Sequence, residues 1–242
     1  ITTTLMTLVR SGGHILAQDC LYGGTLSFLE EDAPAMGISV DTVDGDAPDT
    51  WAAKVRDNTR VFLVESLSNP TLRIADLKAV VAFCRDHGIT SVIDNTFASP
   101  VNYRPLEAGF DVELHSATKY LNGHSDLVAG CVISSASIIE RVTHKLNHLG
   151  GMLDPHACFL LQRGLKTLGV EASWIPSPLN LFMNIPWTQE GALSFEAPVS
   201  KPDDFVVLRA EQDVIVAFSA CPQDILPING RHTAPTEAHF EV

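Results

Sequence analysis

Short apolar runs alternate with amphipathic stretches over residues 1–134, and this alternation is the feature that most constrains the fold. Two of the runs, VFLV and SVID, are apolar on both faces, which is typical of central parallel strands covered by helices. The predicted strands are 14–18, 38–43, 61–65, 91–94 and 128–133, and the predicted helices are 25–36, 50–58, 74–87, 136–149 and 155–168. Such alternation predicts an α/β fold with a mostly parallel sheet and right-handed crossovers.

The composition changes near residue 172. More than half of the 14 prolines fall after this point, and the helical periodicity is lost. Two apolar or alternating stretches, 205–209 and 214–219, predict β-strands on either side of a turn. The sequence therefore predicts one α/β domain over residues 1–172, followed by a β/loop-rich segment over residues 173–242.

Charge and cysteine content narrow the class of partner and the compartment. The net charge of -13 argues against a nucleic-acid partner, because phosphates would be repelled. No run of eighteen apolar residues is present, and Ile1 to Thr4 do not resemble a signal peptide, so we expect neither a membrane span nor a secreted protein. Five scattered cysteines fit reduced thiols in a cytoplasmic protein.

Polar and reactive side chains follow the ends of four predicted strands, which are three of those above and a further one that ends at Leu114. In open α/β sheets, ligands bind beyond the carboxyl ends of the strands. Taken alone, Lys119 would be a solvated surface lysine and Asp94 a turn or helix cap. Their arrival at one sheet edge favours a binding site instead. The residues are Tyr22, Gly23 and Gly24; Glu65, Ser66 and Asn69; Asp94 and Thr96; and Ser116, Thr118 and Lys119.

Five phrases, in this order along residues 1–170, give the pattern a family resemblance: DCLYGGT, VESLSNPTLRIADL, VIDNTFASP, HSATKYLNGHSDLVAG and LDPHACFLLQRGLKTL. This stretch resembles the large-domain core of the cystathionine γ-synthase, cystathionine lyase and methionine γ-lyase family. Those enzymes have fold type I and use pyridoxal phosphate. The resemblance implies β- or γ-elimination or replacement on sulfur-containing amino acids, which is trans-sulfuration chemistry.

The resemblance also implies catalytic roles for Lys119 and Tyr22 and a cofactor-binding role for Asp94. Lys119 would form the Schiff base with pyridoxal phosphate and, once freed by the substrate, would act as the base that moves protons. Asp94 would pair with the pyridinium nitrogen and keep it protonated, so that the ring accepts electrons. Tyr22 would stack on the ring, and its hydroxyl would assist proton transfer.

Five further residues would bind the cofactor or support the site by the same resemblance. Ser116 and Thr118 would donate hydrogen bonds to the phosphate, and Asn69 would bond the 3-oxygen of the ring. Thr96 and Glu65 would belong to the supporting set around these groups.

The segment 173–242 resembles a different family. The phrases PSPLNLFMNIP and FEAPVSKPDDFVVLRAEQDVIVAFSACPQDILPING are similar to the C-terminal part of urea-carboxylase-associated proteins, which include subunits of a carboxyguanidine deiminase. Cys221 in ACPQD could be a metal ligand, but a single cysteine is more often a small buried hydrophobe. We therefore predict no complete metal site.

Three functions remain open from the sequence. The first is a pyridoxal-phosphate lyase or transferase acting on a small amino-acid substrate, with assembly as a homo-oligomer. The second is a catalytically silent chimeric or truncated module, because this sequence matches neither the N-terminal arm nor the carboxylate-binding C-terminal domain of that family. The third is a deiminase-associated subunit whose function resides in the tail.

Overall fold

A computed structural model describes residues 1–69, 71–171, 206–209 and 214–218. Within these residues, eight strands form one sheet. In chain order they are β1 (His14–Gln18), β2 (Ser39–Val43), β3 (Thr59–Glu65), β4 (Thr90–Asp94), β5 (Val112–Ser116), β6 (Gly130–Ser134), β7 (Val206–Arg209) and β8 (Val214–Phe218). No helix in the described part of the chain combines the length and the apolar character that crossing a membrane requires.

The strand order in the sheet is β2-β1-β3-β4-β5-β6-β8-β7. Strands β1 to β5 pair in parallel, whereas β6 pairs antiparallel with both β5 and β8. The α/β fold with a mostly parallel sheet is therefore confirmed. Strands β7 and β8 correspond to the two predicted C-terminal strands and pair antiparallel with each other. The domain boundary near residue 172 stays a prediction.

Helices cover both faces of the sheet. They are α1 (Thr2–Leu8), α2 (Gly23–Ser27), α3 (Ala33–Ala35), α4 (Pro48–Trp51), α5 (Leu77–His87), α6 (Ser99–Asn102), α7 (Pro105–Ala108), α8 (Ala136–Leu149), α9 (Pro155–Leu165) and α10 (Leu168–Glu171). Helix α1 was not predicted, because its run of threonines carries no helical pattern of apolar residues. The helix predicted at 155–168 ends at Leu165, and α10 follows as a separate turn.

Two predicted helices have different bounds for local reasons. The helix predicted at 74–87 begins at Leu77, because the Asp76 side chain caps it by accepting the Ala79 N–H at 3.0 Å. The helix predicted at 50–58 begins earlier and ends, through a 3-10 turn, at Lys54. A turn that joins Arg56 and Thr59 through two hydrogen bonds then leads into β3.

Two other predicted bounds shift near the candidate site. Residues predicted as one helix at 25–36 form α2, a wider π turn at Phe28–Asp32, and α3. The strand predicted at 128–133 is instead β6, which begins at Gly130, because backbone and side-chain bonds to Thr118 hold Ala129 outside the strand.

Alternation along the central strands divides the core between the two faces. Val61 and Leu63 pack with α1 on one face, in a cluster that also contains Leu114. Phe62 and Val64 point to the other face, where Trp51 meets Phe62 edge to face at 5.0 Å. A third cluster packs α9 beneath the segment that follows β5. Buried side chains therefore pack against both faces of the sheet near the edge where these strands end.

Candidate active site

The carboxyl ends of β3, β4 and β5 lie side by side at one edge of the sheet. Glu65 and Asp94 are register partners, and Asp94 is in turn the partner of Leu114. Because side chains alternate along a strand, Glu65, Asp94 and Ser116 share the face that carries Leu63 and α1. Three residues predicted from separate stretches of sequence thus reach one face of one edge.

Thr96 joins the ends of β4 and β5. Its hydroxyl donates to Asp94 Oδ1 at 2.5 Å, and its backbone N–H donates to the same oxygen at 3.0 Å. The Ser116 N–H donates to Thr96 Oγ1 at 2.7 Å. Both of these bonds use Asp94 Oδ1. Neither Asp94 Oδ2 nor the Ser116 hydroxyl makes a hydrogen bond to another described residue. They are free to meet a ligand.

Lys119 lies in a turn that begins where β5 ends. Its N–H donates to the Ser116 carbonyl at 3.0 Å, and its carbonyl accepts the Gly123 N–H at 2.8 Å. The side chain is exposed, and no ion pair within the described part of the chain engages its ammonium. The next residue, Tyr120, meets the Phe97 ring at 6.5 Å, which places the turn beside the loop that follows β4.

Thr118 joins the turn that contains Lys119 to Ala129, the residue that precedes β6. Its N–H and its hydroxyl both donate to the Ala129 carbonyl at 3.2 Å, and its hydroxyl accepts the Ala129 N–H at 2.9 Å. The Thr118 hydroxyl is therefore already used within the protein, unlike that of Ser116. Its predicted bond to a phosphate would require an exchange of partners.

Helix α9 packs against the turn that contains Lys119 (the lysine turn, residues 117–123), and the two backbones approach closely at Gly164. A Cβ added to Gly164 would lie 2.3 Å from the Asn122 carbonyl oxygen. Nearby, Arg163 Nη2 donates to Asp126 Oδ2 at 2.7 Å, and Asn122 Nδ2 donates to Asp126 Oδ1 at 3.0 Å. These bonds from Asn122 and Arg163 hold the pKa of Asp126 below its usual value.

Tyr22 follows β1 and begins α2. Its N–H donates to Glu65 Oε1 at 2.7 Å, which ties the loop after β1 to the end of β3. Its side chain is 56% exposed, and a Cβ added to Gly24 would lie 3.0 Å from Tyr22 Cε1. The ring therefore lies over a backbone that has no side chain at this point. Gln18 completes the link, because its Oε1 accepts the Glu65 N–H at 3.1 Å.

Glu65 is a buried acid beside another acid. Only 5% of Glu65 is exposed, and its Oε2 is buried without a hydrogen-bond partner among the described residues. The pKa of Glu65 is raised to about 7, chiefly by burial and also by the charge on Asp94, against the opposing effect of the backbone amides of Tyr22 and Asn69. Glu65 therefore exchanges a proton close to neutral pH.

A second buried polar group supports the same edge from the opposite face. Glu113 Oε1 accepts from His115 Nε2 at 2.6 Å and from Asn95 Nδ2 at 2.8 Å, and all three residues are buried. Asn95 directly follows Asp94, and its Nδ2 also donates to the Tyr103 carbonyl at 2.8 Å. Removing one member would leave a buried charge without its partner, which is strongly destabilising.

The predicted site residues form two linked groups. The hydrogen bonds above connect Asp94, Thr96 and Ser116 with the lysine turn. The Tyr22 N–H donates to Glu65, and the backbone amides of Tyr22 and Asn69 both lower the pKa of Glu65. The register pairing of Glu65 with Asp94 joins the two groups. No ion pair within residues 1–69 and 71–171 connects Lys119 to Asp94. The roles assigned to the individual residues stay predictions, and Cys221 lies outside the described residues.

Sequence reasoning missed several residues that support the site. Asn95 and Glu113 were not assigned, although a polar residue inside an apolar strand is a signal that a buried partner exists. Gln18 and Gly164 were also missed, because the first resembles any strand end and the second any helix glycine. Among the described residues, no cluster of three or more potential metal ligands is present.

Comparison with known proteins gives consistent matches for the first part of the chain. The family model described as "Cys/Met metabolism PLP-dependent enzyme" matches residues 1–174. A probable cystathionine gamma-synthase of Herpetosiphon aurantiacus is 39% identical over 170 residues, which cover 70% of this chain and 53% of the relative. An L-methionine gamma-lyase of Pseudomonas putida is 41% identical over 174 residues, covering 70% of this chain and 43% of the relative.

A solved structure gives the same result. The crystal structure of cystathionine gamma-lyase from Lactobacillus plantarum complexed with L-serine has a TM-score of 0.68 and 35% identity. The similarity covers 70% of this chain and 45% of that one. The chain thus spans about half the length of the relatives that it matches. The family model ends at residue 174, and the resemblance of residues 173–242 to urea-carboxylase-associated proteins stays a prediction.

Proposed function

Since the chain belongs to the family of pyridoxal-phosphate-dependent enzymes of cysteine and methionine metabolism, we propose that it catalyses elimination or replacement at the β- or γ-carbon of sulfur-containing amino acids. The observation that carries the proposal is the Thr96 bridge between Asp94 and Ser116. It sets a carboxylate and a hydroxyl at one sheet edge, and the turn that carries Lys119 begins at the same residue, Ser116.

The free groups at this edge fit the polar parts of pyridoxal phosphate. Asp94 Oδ2 suits the ring nitrogen in its protonated form, and the Ser116 hydroxyl suits the phosphate. The Lys119 amine suits the aldehyde carbon, with which it can bond covalently. Thr118 would join Ser116 at the phosphate after its hydroxyl leaves the Ala129 carbonyl. Asn69 would bond the 3-oxygen of the ring.

Each residue then has a definite part in the reaction. When bound, pyridoxal phosphate supplies an electron sink that makes the substrate's Cα–H acidic. Asp94 would stabilise the positive ring nitrogen and so maintain that sink, while Thr96 fixes the Asp94 carboxylate by two hydrogen bonds. Lys119 Nζ would take the proton from the substrate Cα and could return it to another carbon or to the leaving thiol. Tyr22 covers the ring and can assist this transfer.

The test begins with absorption spectroscopy of the protein after addition of pyridoxal phosphate. We expect a visible band that survives desalting and is absent from Lys119→Ala. Because the cofactor also reacts with surface lysines, Lys78→Ala on the exposed side of α5 is the matched control and should keep the band. Borohydride reduction followed by peptide mapping should place the cofactor on Lys119. An equal band in Lys119→Ala would contradict the assignment.

Turnover is tested separately with methionine and cystathionine. Elimination consumes one water and releases a thiol, ammonia and a 2-oxo acid, and each product can be measured. Lys119→Ala should abolish all three products. A Lys119-linked cofactor without product from either substrate would instead favour the catalytically silent module.

Three finer predictions accompany the proposal. An amino acid is the expected small-molecule substrate, and assembly as a homo-oligomer can be checked by light scattering. The location is expected to be cytoplasmic. A function residing in residues 173–242, as in a deiminase-associated subunit, would require a bound metal, which elemental analysis of the purified protein would detect.

A further inference from the structure

We propose that Glu65 is the positioning residue for Tyr22. It sets the orientation of the Tyr22 side chain through a hydrogen bond to the Tyr22 backbone amide, and not through a contact with the phenol. This inference rests on the proposed function, because the placement of the Tyr22 ring matters only where a planar cofactor is to be covered. It adds to that function a residue that touches neither cofactor nor substrate but sets the position of one that does.

Glu65 is itself held rigidly. It is the last residue of a central strand, it is 5% exposed, and its N–H donates to Gln18 Oε1 at 3.1 Å. Its Oε1 accepts the Tyr22 N–H at 2.7 Å. A short hydrogen bond to a buried carboxyl is among the stronger bonds that a loop amide can make. Tyr22 is therefore fixed to the sheet at its backbone.

The ring of Tyr22 has no comparable support of its own. It is 56% exposed and pairs with no aromatic ring in the part of the chain that the structure describes. Its direction follows from two backbone features. One is the amide held by Glu65. The other is Gly24, where an added Cβ would lie 3.0 Å from Tyr22 Cε1 and 3.5 Å from Cδ1.

The start of helix α2 fixes the Tyr22 carbonyl but not its amide. The N–H groups of Thr25 and Leu26 both donate to the Tyr22 carbonyl at 2.9 Å, and these bonds do not involve Glu65. Loss of the Glu65 acceptor therefore leaves α2 in place and frees the peptide unit that precedes Tyr22. The effect expected from Glu65 is a local reorientation of one side chain.

The experiment uses the full chain labelled with 3-fluorotyrosine and observed by fluorine NMR. The chain contains three tyrosines, so three resonances are expected, and Tyr22→Phe assigns the one of interest. Glu65→Leu removes the acceptor at similar volume and should shift or broaden the Tyr22 resonance alone. Glu65→Gln keeps a carbonyl oxygen at the same place and should restore the wild-type resonance.

A second pair of variants tests the same geometry without changing Glu65. Gly24→Ala places a methyl group against the ring and should shift the Tyr22 resonance, since the exposed ring can turn away. Gly23→Ala is the matched control, because its added Cβ would meet nothing within 4 Å. If Glu65→Leu does not fold, Glu65→Ala, which removes the same acceptor with a smaller side chain, replaces it in the comparison with Glu65→Gln.

The outcomes separate this inference from the proposed function. The fluorine resonances need no cofactor, so an unchanged Tyr22 resonance in Glu65→Leu would overturn the inference even if the cofactor binds. A shift of all three resonances in Glu65→Leu, not rescued by Glu65→Gln, would show a general structural role and also overturn it. Where turnover is measured, Glu65→Leu should lower kcat by about 10- to 100-fold. At a pH where Glu65 of the wild-type protein is protonated, Glu65→Gln should have a kcat near that of the wild type.

Discussion

The contact between α9 and the lysine turn predicts that Gly164→Ala destabilises the protein. The added Cβ would meet three backbone atoms of Asn122 at 2.3, 2.6 and 2.8 Å. Backbone cannot move aside as a flexible side chain can, so either α9 or the turn that contains Lys119 must shift. Overpacking of this kind costs about 3 kcal/mol, at the upper end of the usual range.

The same substitution also brings a gain, which must be subtracted. Alanine is favoured over glycine by up to about 1 kcal/mol in a helix, and Gly164 lies in the last turn of α9. The net expectation is a loss of about 2 kcal/mol in the free energy of unfolding, which is a large part of the stability of an ordinary domain. Because the displaced segment carries Lys119, the affinity for pyridoxal phosphate should fall in the same variant.

Urea unfolding followed by circular dichroism measures the stability change, provided that the m-value is unchanged. Gly169→Ala in α10 is the matched control, since Gly169 is also helical and exposed and its added Cβ would meet nothing within 4 Å. It should be as stable as wild type or slightly more so. A gain in stability for Gly164→Ala equal to that of Gly169→Ala would refute the close approach.

Two other predictions concern the strand ends. Thr96→Val removes one of the two hydrogen bonds to Asp94 Oδ1 and leaves the Ser116 N–H without its acceptor, while the residue-96 N–H still donates to Asp94. We expect a loss of about 2 kcal/mol in unfolding free energy and weaker cofactor binding, both largely restored in Thr96→Ser. Equal behaviour of the Val and Ser variants would argue against the bridge. Burial raises the pKa of Glu65 to about 7 from its usual 4.5, so the folded state holds this proton more tightly than the unfolded state. The stability that this proton contributes is present below about pH 4.5 and is lost as the pH rises through about 7, a loss of about 3 kcal/mol, which urea unfolding at several pH values should show in wild type and not in Glu65→Gln.

The order of strands and the edge that carries the site follow from local patterns. Runs such as VFLV and SVID are apolar on both faces, so they had to be central strands, and the residues that follow them had to meet at one edge. Asp94, Ser116 and Glu65 could be placed together for this reason. Helix α1 could not be predicted, because its threonines do not mark a face even though Leu5 is fully buried.

The supporting contacts depend on tertiary geometry that no local pattern encodes. The Thr96 bridge needs the loop after β4 to turn back to β5, and the pairing of Glu113 with His115 and Asn95 needs two strands in register. The close approach at Gly164 depends on where α9 packs, and a glycine in a helix gives no indication of its neighbour. The sequence therefore predicts which residues reach the edge, but not what holds them there.

The paired bonds between Thr118 and Ala129 make residues 119–128 a loop whose two ends are joined. An anion that recruits the Thr118 hydroxyl proton would break one of these bonds, yet the Ala129 carbonyl would keep the Thr118 N–H. The exchange leaves the number of hydrogen bonds unchanged, so Thr118 adds little to affinity. The two bonds that remain, from the Thr118 N–H to the Ala129 carbonyl and from the Ala129 N–H to Thr118 Oγ1, keep the ends of the loop joined without disturbing β5 or β6. We therefore expect hydrogen exchange at the Ala129 amide to stay slow when an anion binds.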